Sequence, residues 1–307
     1  MSAKSLITVL KPPPMKGRRV TASALLSDYW ALTKPEVNFL ILITTVVGFY
    51  LGCAAVGRQF SFVALFNTLL GTLLVASGTA TLNQYIERSF DAQMRRTARR
   101  PAAAGRLEPQ AVLAFGIVLA VAGTIYLAVT VGGLASLLAL LTLLSYLFLY
   151  TPLKRETPLC VLIGAFPGAM PPLIGWAAAS GGLSSEAWLL YAILFLWQFP
   201  HFMAIAWMYR EDYDRAGYLM LPKGHARVTL VILQTALPLL ALVPISIVRS
   251  PAAHAAIFRG AALSLGLGFL YFGLRFAFER SRGSARQLLA ASIVYLPILF
   301  GLRVTLR

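Results

Sequence analysis

Long runs of apolar residues follow one another along almost the whole chain, separated by short polar segments rich in Gly, Pro and charged residues. A helix that crosses a bilayer needs about 20 mostly apolar residues, so the pattern predicts nine transmembrane helices. They are expected at residues 38–56, 61–84, 110–130, 133–151, 159–179, 186–207, 228–248, 255–277 and 287–304. Short repeats in the polar segments, with Thr33-Lys34-Pro35 before the first span and Thr157-Pro158 before the fifth, indicate an internal duplication.

The composition supports this prediction and excludes other classes of protein. Hydrophobic residues make up 58% of the 307 residues and charged residues only 12%, about half the charged fraction of a soluble domain. A water-soluble globule and a disordered chain are both excluded. We therefore predict an all-α, polytopic membrane helical bundle of about nine transmembrane helices, built as two four-helix halves plus one extra helix.

The distribution of charge sets the expected orientation. The net charge is +16, and 22 of the 27 Lys and Arg residues fall on the side that carries the N-terminus and the loops after even-numbered spans. The positive-inside rule makes that side cytoplasmic and explains the charge without nucleic acid. We expect residues 1–30 to be a basic cytoplasmic tail, followed by one membrane domain over 31–307. The short N-terminal segment favours a bacterial inner membrane over a mitochondrial one.

Polar side chains recur with helical spacing at the end of the second span. Asn83, Glu87 and Asp91 are four residues apart and share one face of a helix. Two carboxylates and an amide oxygen at a membrane surface could hold Mg²⁺ together with phosphate oxygens. The alternative is a solvated helix end whose acids pair with neighbouring arginines, and the spacing alone leaves both interpretations open.

Basic and aromatic residues follow in two loops expected on the same side. Four arginines occur within six residues, among them Arg95, and the loop after the fourth span offers Tyr150, Lys154 and Arg155. Arginine binds phosphate through two parallel hydrogen bonds, so acids with arginines behind them are typical of a diphosphate site. Tyr150 could face a reacting cation through its ring. An ordinary positive-inside loop would carry such residues as well.

The sixth span contains an ionisable residue within its apolar run and ends in a cluster of acids. His201 lies ten residues before Glu211, about 15 Å along a helix. Ionisable residues at membrane depth are candidates for function by default. A buried histidine bonded to a neighbouring helix is the structural alternative.

The segment from Asn83 to Pro101 reads Asn-x-x-x-Glu-x-x-x-Asp-x-x-Met-x-Arg-Thr-x-x-Arg-Pro. It resembles the first signature of the UbiA superfamily of intramembrane prenyltransferases and, within it, the protohaem IX farnesyltransferases. Three further segments are similar to that family: LTKPEVNFL at 32–40, YTPLKRETPLCVLIGAFPGAMPPLIGW at 150–176, and LWQFPHFMAIAWMYREDYDRAGYLMLP at 196–222. The second superfamily motif departs from the usual pattern, because Ala216 stands four residues after Asp212. Which acids hold a second metal is therefore open.

The resemblance implies an enzyme that transfers a farnesyl group from farnesyl diphosphate to a vinyl group of haem b, with Mg²⁺ as cofactor and haem b as substrate rather than prosthetic group. It implies that Asn83, Glu87, Asp91 and Asp212 hold Mg²⁺ and that Tyr150 lines the reaction centre. Arg95, Lys154, Arg155 and Asn38 would contact the diphosphate, and His201 would face the haem. It also implies a downstream haem A synthase or terminal oxidase assembly as partner, and an active site on the cytoplasmic side of the lipid bilayer.

Two other functions remain open from the residues. A related prenyltransferase acting on a quinone precursor such as 4-hydroxybenzoate would share the metal site but need a small phenolic pocket. A non-catalytic haem carrier or transporter would not need the acids. The acids lie at one surface rather than at the membrane midplane, which favours chemistry on an amphiphile.

Overall fold

A computed structural model describes residues 21–221, 224–248 and 254–306. Within these ranges the regular structure is helical, without strands, and nine segments are long and apolar enough to cross a membrane. The prediction of nine spans is confirmed for this part of the chain. They are α2 Pro35–Ala55, α3 Phe62–Asp91, α4 Pro109–Thr130, a fourth over Gly133–Leu153, a fifth over Cys160–Ser180, α9 Ser185–Met208, α11 His225–Ile247, α12 Ala255–Glu279 and α13 Arg282–Thr305.

The second span is longer than the sequence predicts. Helix α3 has 30 residues, about 45 Å, and it continues seven residues past the predicted end at 84. The apolar run was expected to end at 84, but the four-residue spacing of the polar residues that follow it correctly predicted that they are helical. They remain helical because Asn83, Glu87 and Asp91 are buried against other segments instead of facing solvent. The polar face thus lies on a rigid element.

The fourth and fifth spans are each interrupted and consist of more than one helical segment. The fourth span consists of α5 Gly133–Leu144, a π-helical turn over Ser145–Tyr150 and a final turn, α6 Thr151–Leu153. Such π-helical turns are frequent at functional sites. The fifth span consists of α7 Cys160–Gly168 and α8 Pro171–Ser180. It breaks where Pro171 and Pro172 remove backbone donors and disfavour helix in the residue before them.

Small residues allow the spans to pack closely. Helix α2 packs against α8, α3 against α4, and α9 against both α11 and α13. A Cβ at Gly48 would overlap the Pro172 carbonyl, and one at Gly175 would overlap the Thr45 carbonyl. Without a hydrophobic force between helices in lipid, such close backbone approach is a main source of association. It fixes the first span against the fifth, which belong to different halves of the sequence.

A helix that the sequence pattern did not predict precedes the first span. Helix α1, Ala22–Leu32, begins with the Thr21 hydroxyl as its cap and crosses residue 30, where the N-terminal tail was expected to end. Arg106 forms an ion pair with Asp28, at 2.8 Å, and the Gln84 amide donates to the Leu32 carbonyl at 2.9 Å. These contacts hold the turn after α1 beside α3. The rest of the expected tail, residues 1–20, lies outside the described residues.

Candidate active site

The polar face of α3 is buried at one end of the bundle. Asn83, Glu87 and Asp91 all belong to α3 at a spacing of four residues, and each is at most 5% exposed. Burying carboxylates is costly unless charges or hydrogen bonds compensate them. The fold must therefore supply compensating groups from elsewhere.

Three cations from three different segments face these three side chains. Lys34 Nζ donates to Asn83 Oδ1 at 2.9 Å, and Lys154 Nζ lies 2.8 Å from Glu87 Oε1. Arg100 lies 2.8 Å from Asp91 Oδ2. The segments before the first span, after the fourth span and after the second span thus meet on one helix face. Acids with cations opposed to them can hold a metal ion on one side and an anion on the other.

The electrostatic environment shifts the pKa of groups around this face. Lys34 is half-buried as a residue, but its ammonium lies against Asn83. Burial, and then the nearby charge of Arg100, lower the pKa of Lys34 to about 7. Burial also disfavours the charge on Lys154, yet the Glu87 carboxylate outweighs it and raises the pKa of Lys154 well above its ordinary value. Lys154 therefore stays protonated, whereas Lys34 is easily deprotonated in the free protein.

The second acidic segment reaches the first through Asp212. After α9 the chain forms α10 Arg210–Arg215, and Asp212 is buried there. Its Oδ2 accepts a hydrogen bond from the Arg96 backbone N–H at 3.3 Å, and Arg215 lies 3.2 Å from its Oδ1. The acidic end of the sixth span therefore reaches the loop that follows the acidic end of the second. The backbone of the arginine-rich loop lies between them.

The other acids of this segment have different partners. Glu211 lies 3.3 Å from Arg282, and Asp214 lies 3.2 Å from Arg227. Both acids are more exposed than Asp212. Of the three, Asp212 is the one whose carboxylate faces the loop after α3, which favours it as the acid of the second motif.

The aromatic and basic residues of the loop after the fourth span surround Lys154. The Lys154 ammonium lies 4.5 Å from the centre of the Tyr150 ring, and the Arg155 guanidinium lies 4.2 Å from that of Phe90. The π-helical turn ends at Tyr150 and places its ring beside Tyr146, with centres 5.1 Å apart. Two electron-rich rings therefore border the cation that pairs with Glu87.

Two further predicted residues have other contacts. Arg95 is exposed at the mouth of a cleft between the loop after α3 and the start of α13. The Asn38 amide is buried and donates to the Thr33 carbonyl at 2.8 Å and to Ser77 Oγ at 2.9 Å. These bonds stabilise the turn that carries Lys34. They favour a positioning role for Asn38 over direct contact with a diphosphate.

His201 lies on α9 and contacts α13. Its Nδ1 lies 2.8 Å from Ser292 Oγ, and its ring stacks on Trp197. Ser292 donates its hydroxyl proton to the Leu289 carbonyl at 2.6 Å, so Oγ accepts from His201 and Nδ1 carries the proton. The neutral ring then has its lone pair on Nε2. This tautomer is the one that metal-binding histidines adopt when a second group orients them.

A divalent cation is compatible with the acids on α3. In the described part of the chain, no three acidic, His or Cys side chains converge as a closed metal cluster. Two buried carboxylates and the Asn83 amide nevertheless offer hard oxygen donors on one face, and Asp91 Oδ1 is buried without a hydrogen-bond partner among the described groups. Mg²⁺ commonly uses one or two carboxylates and completes its shell with water and phosphate oxygens. The donor set therefore fits Mg²⁺.

Comparison with known proteins identifies the family of this chain. Residues 41–301 match the model of the UbiA prenyltransferase family. The chain belongs to the UbiA prenyltransferase family. It is 47% identical to protoheme IX farnesyltransferase of Solibacter usitatus, over 90% of this chain and 97% of the relative. It is 42% identical to the enzyme of the same name from Koribacter versatilis, over 94% and 95% of the two chains.

Solved structures of the UbiA family share the fold. One of digeranylgeranylglyceryl phosphate synthase superposes with a TM-score of 0.71 at 15% identity, over 92% of this chain and 98% of that one. A UbiA homologue from Archaeoglobus fulgidus, bound to GPP and Mg²⁺, superposes with a TM-score of 0.63 at 12% identity, over 90% and 99%. These likenesses confirm the all-helical membrane fold predicted from the sequence.

Three residues of the site were missed in the sequence. Lys34 lies in the segment 32–40 that resembles the family, but its ammonium reaches α3 only because the backbone at Lys34 is left-handed, with φ of 52°. Arg100 could have been chosen from the arginine run, whereas Arg95 was. Tyr218 is buried near Glu87, and burial followed by that carboxylate raises its pKa. No local pattern indicated Tyr218.

Proposed function

We propose that this chain is a prenyltransferase that moves a farnesyl group from farnesyl diphosphate to a vinyl group of haem b and releases diphosphate. The observation that carries the proposal is the buried acid face of α3, opposed by Lys34, Lys154 and Arg100. The acceptor is inferred from relatives named protoheme IX farnesyltransferase, which match over nearly their whole length.

The diphosphate binds between the acids and the cations. Lys34, Lys154 and Arg100 each contact one residue of α3 in the free protein and reorient to phosphate oxygens when the substrate enters. Arg95 and Arg155, which are exposed beside them, extend the positive surface. Asn83, Glu87, Asp91 and Asp212 would hold Mg²⁺, which would neutralise charge on the leaving diphosphate. Lys34 gains its proton fully when an anion replaces neutral Asn83 as its neighbour.

The reaction proceeds by loss of the diphosphate from an allylic carbon. The C1–O bond of the farnesyl group breaks and its electron pair leaves with the diphosphate, where the cations of the protein stabilise it. Tyr150 and Tyr146 face the developing carbocation with their rings. The terminal vinyl carbon of haem then bonds to farnesyl C1. Water adds to the adjacent carbon and loses a proton, which leaves a hydroxyl group and completes haem O.

His201 orients the haem. Its Nδ1–H is held by Ser292, so Nε2 keeps its lone pair and would donate it to the haem iron. Trp197 stacks on the imidazole with ring centres 4.7 Å apart and donates its indole N–H to the Ser292 carbonyl. Both contacts fix the ring plane, so α9 and α13 form the acceptor side of the site.

The site faces the cytoplasm of a bacterial inner membrane. The loops after α3, α6 and α9 that build it carry the basic residues that the positive-inside rule assigns to that side. The prenyl chain lies in the apolar interior of the bundle, and haem O leaves to a haem A synthase or a terminal oxidase assembly.

A turnover assay tests the proposal. Purified protein in detergent receives haem b, farnesyl diphosphate and Mg²⁺, and the extracted haems are separated by chromatography with mass detection. A haem heavier by one farnesyl group and one hydroxyl group supports the proposal. Farnesylation of 4-hydroxybenzoate instead would support the proposed binding site for farnesyl diphosphate and contradict haem b as the acceptor. Folded protein inactive with both acceptors would favour a haem carrier or transporter.

A further inference from the structure

A charged cleft lies beside the acid face, between the loop after α3 and the start of α13. Arg95 and Arg96 border it from that loop, Arg282 and Arg286 from the first turns of α13, and Met208 and Tyr209 from the end of α9. Its volume is about 420 Å³. Arg95 and Asp212 border both this cleft and the diphosphate site, but the diphosphate site does not account for Arg282 and Arg286, which belong to none of the segments that form it.

The lining of this cleft is positively charged. Besides the four arginines it contains two acids, Glu211 and Asp212. Asp212 is already bonded to the Arg96 backbone and to Arg215, and Glu211 shares an exposed ion pair with Arg282. Exposed pairs of this kind exchange readily for another anion. Within the described ranges, Arg286 has no acid at ion-pairing distance. The cleft is therefore built for an anion that carries more than one negative charge.

The cleft lies at the end of the two helices that carry His201 and Ser292. His201 and Met208 are seven residues apart on α9, so they share one face of the helix with about 10 Å between them along the axis. Ser292, which orients His201, lies on α13, the helix that also provides Arg282 and Arg286. A flat ligand held at His201 can reach the cleft with groups on its edge. Along the axis of α13, Ser292 lies about 9 Å from Arg286 and about 15 Å from Arg282.

We propose that Arg282 and Arg286 bind the two propionate carboxylates of the acceptor haem. This inference rests on the proposed function, because it assigns a subsite to the acceptor of that reaction. Two guanidinium groups on one helix face, four residues apart, match a dicarboxylate edge and bind it by charge-assisted hydrogen bonds. Met208 and Tyr209 offer apolar contact to the macrocycle beside them. The vinyl edge of the ring then points away from the cleft.

The cleft suits propionates better than the diphosphate of the donor. The diphosphate needs the metal-binding acids, and of these only Asp212 borders the cleft. Glu87 and Asp91 instead face Lys154 and Arg100. Donor and acceptor therefore occupy neighbouring anion sites that share the loop after α3.

The test measures the binding of haem and the KM for farnesyl diphosphate separately. We compare wild type, R282Q/R286Q and the control R275Q, whose arginine pairs with Glu279 on α12 and does not line the cleft. Each protein is titrated with haem b and with its dimethyl ester by Soret absorbance, and KM is measured for haem b and for farnesyl diphosphate. Loss of two charge-assisted contacts should raise the haem b dissociation constant and KM about tenfold. The control should match wild type.

The ester separates charge recognition from general damage. Wild type should bind the dimethyl ester about tenfold more weakly than haem b, and the double variant should no longer distinguish the two. An unchanged KM for farnesyl diphosphate would show that the double variant is folded. Equal binding of ester and haem b by wild type would overturn the inference, as would a rise in KM for the donor alone. If wild type binds haem with this preference but makes no farnesylated haem, the proposed function fails and the subsite stands.

Discussion

Lys154 Nζ lies 2.8 Å from Glu87 Oε1, so a buried ion pair joins the segment after the fourth span to the polar end of the second. The Lys154 carbonyl also accepts the Leu219 N–H at 2.8 Å, which ties the segment after α10 to the same point. One lysine therefore connects three parts of the site. Its charge compensates Glu87 in the free protein and is available to a phosphate when a substrate binds.

Breaking this pair on one side should damage stability as well as turnover. Lys154→Gln leaves Glu87 buried without its cation, and such losses cost about 3–5 kcal/mol of unfolding free energy. The double variant K154Q/E87Q removes both charges and should recover most of that stability, while turnover stays absent. Thermal unfolding in detergent and the turnover assay measure the two effects. Recovery of turnover in the double variant would show that the pair is only structural.

Asp91→Asn tests the acid face without changing its shape. The variant keeps the side-chain volume but removes the charge opposite Arg100, and turnover should fall by at least about 100-fold because stabilisation of the leaving group is lost. Haem binding should persist, since His201 lies on another helix. Asp28→Asn is the matched control, because Asp28 pairs with Arg106 on the surface. Normal turnover in D91N would remove the metal from the mechanism.

His201→Ala should shift the Soret band of bound haem and raise KM for haem without altering KM for farnesyl diphosphate. Ser292→Ala should have a smaller effect in the same direction, because Nδ1–H loses its acceptor while Nε2 remains. His225→Ala provides the control, since His225 is exposed at the start of α11. An unchanged spectrum and KM in H201A would assign His201 to packing between α9 and α13.

The membrane spans could be predicted because apolar runs of bilayer length are visible in the sequence. Contacts between segments that are distant in the sequence are not visible in it. The spacing of Asn83, Glu87 and Asp91 correctly placed them on one face of one helix. It did not show that Lys34, 49 residues before Asn83, would reach that face, because this depends on a left-handed turn before α2. The catalytic roles of these residues stay predictions.

The helix ends were less predictable for the same reason. The apolar run placed the end of the second span at 84, whereas the spacing of the polar residues predicted more helix, and α3 continues to Asp91. Helix α1 was not predicted, because most of its residues were assigned to the basic N-terminal tail. It is held by the contact of Leu32 with α3 and by the ion pair of Asp28 with Arg106 in the loop after α3, which local sequence does not reveal. Tertiary contacts decide both cases.

The close packing of the first and fifth spans gives a prediction about stability alone. Gly175→Ala would place a methyl group on the Thr45 carbonyl of α2, and because backbone atoms cannot yield, the variant should lose about 1–3 kcal/mol. Gly268→Ala on α12 is the matched control, since its Cβ would meet no atom within 4 Å. That substitution should be neutral or slightly stabilising. Thermal unfolding of both variants in detergent measures the difference. Equal midpoints would mean that α2 and α8 can separate without cost, and that the site which they support is less rigid than this packing implies.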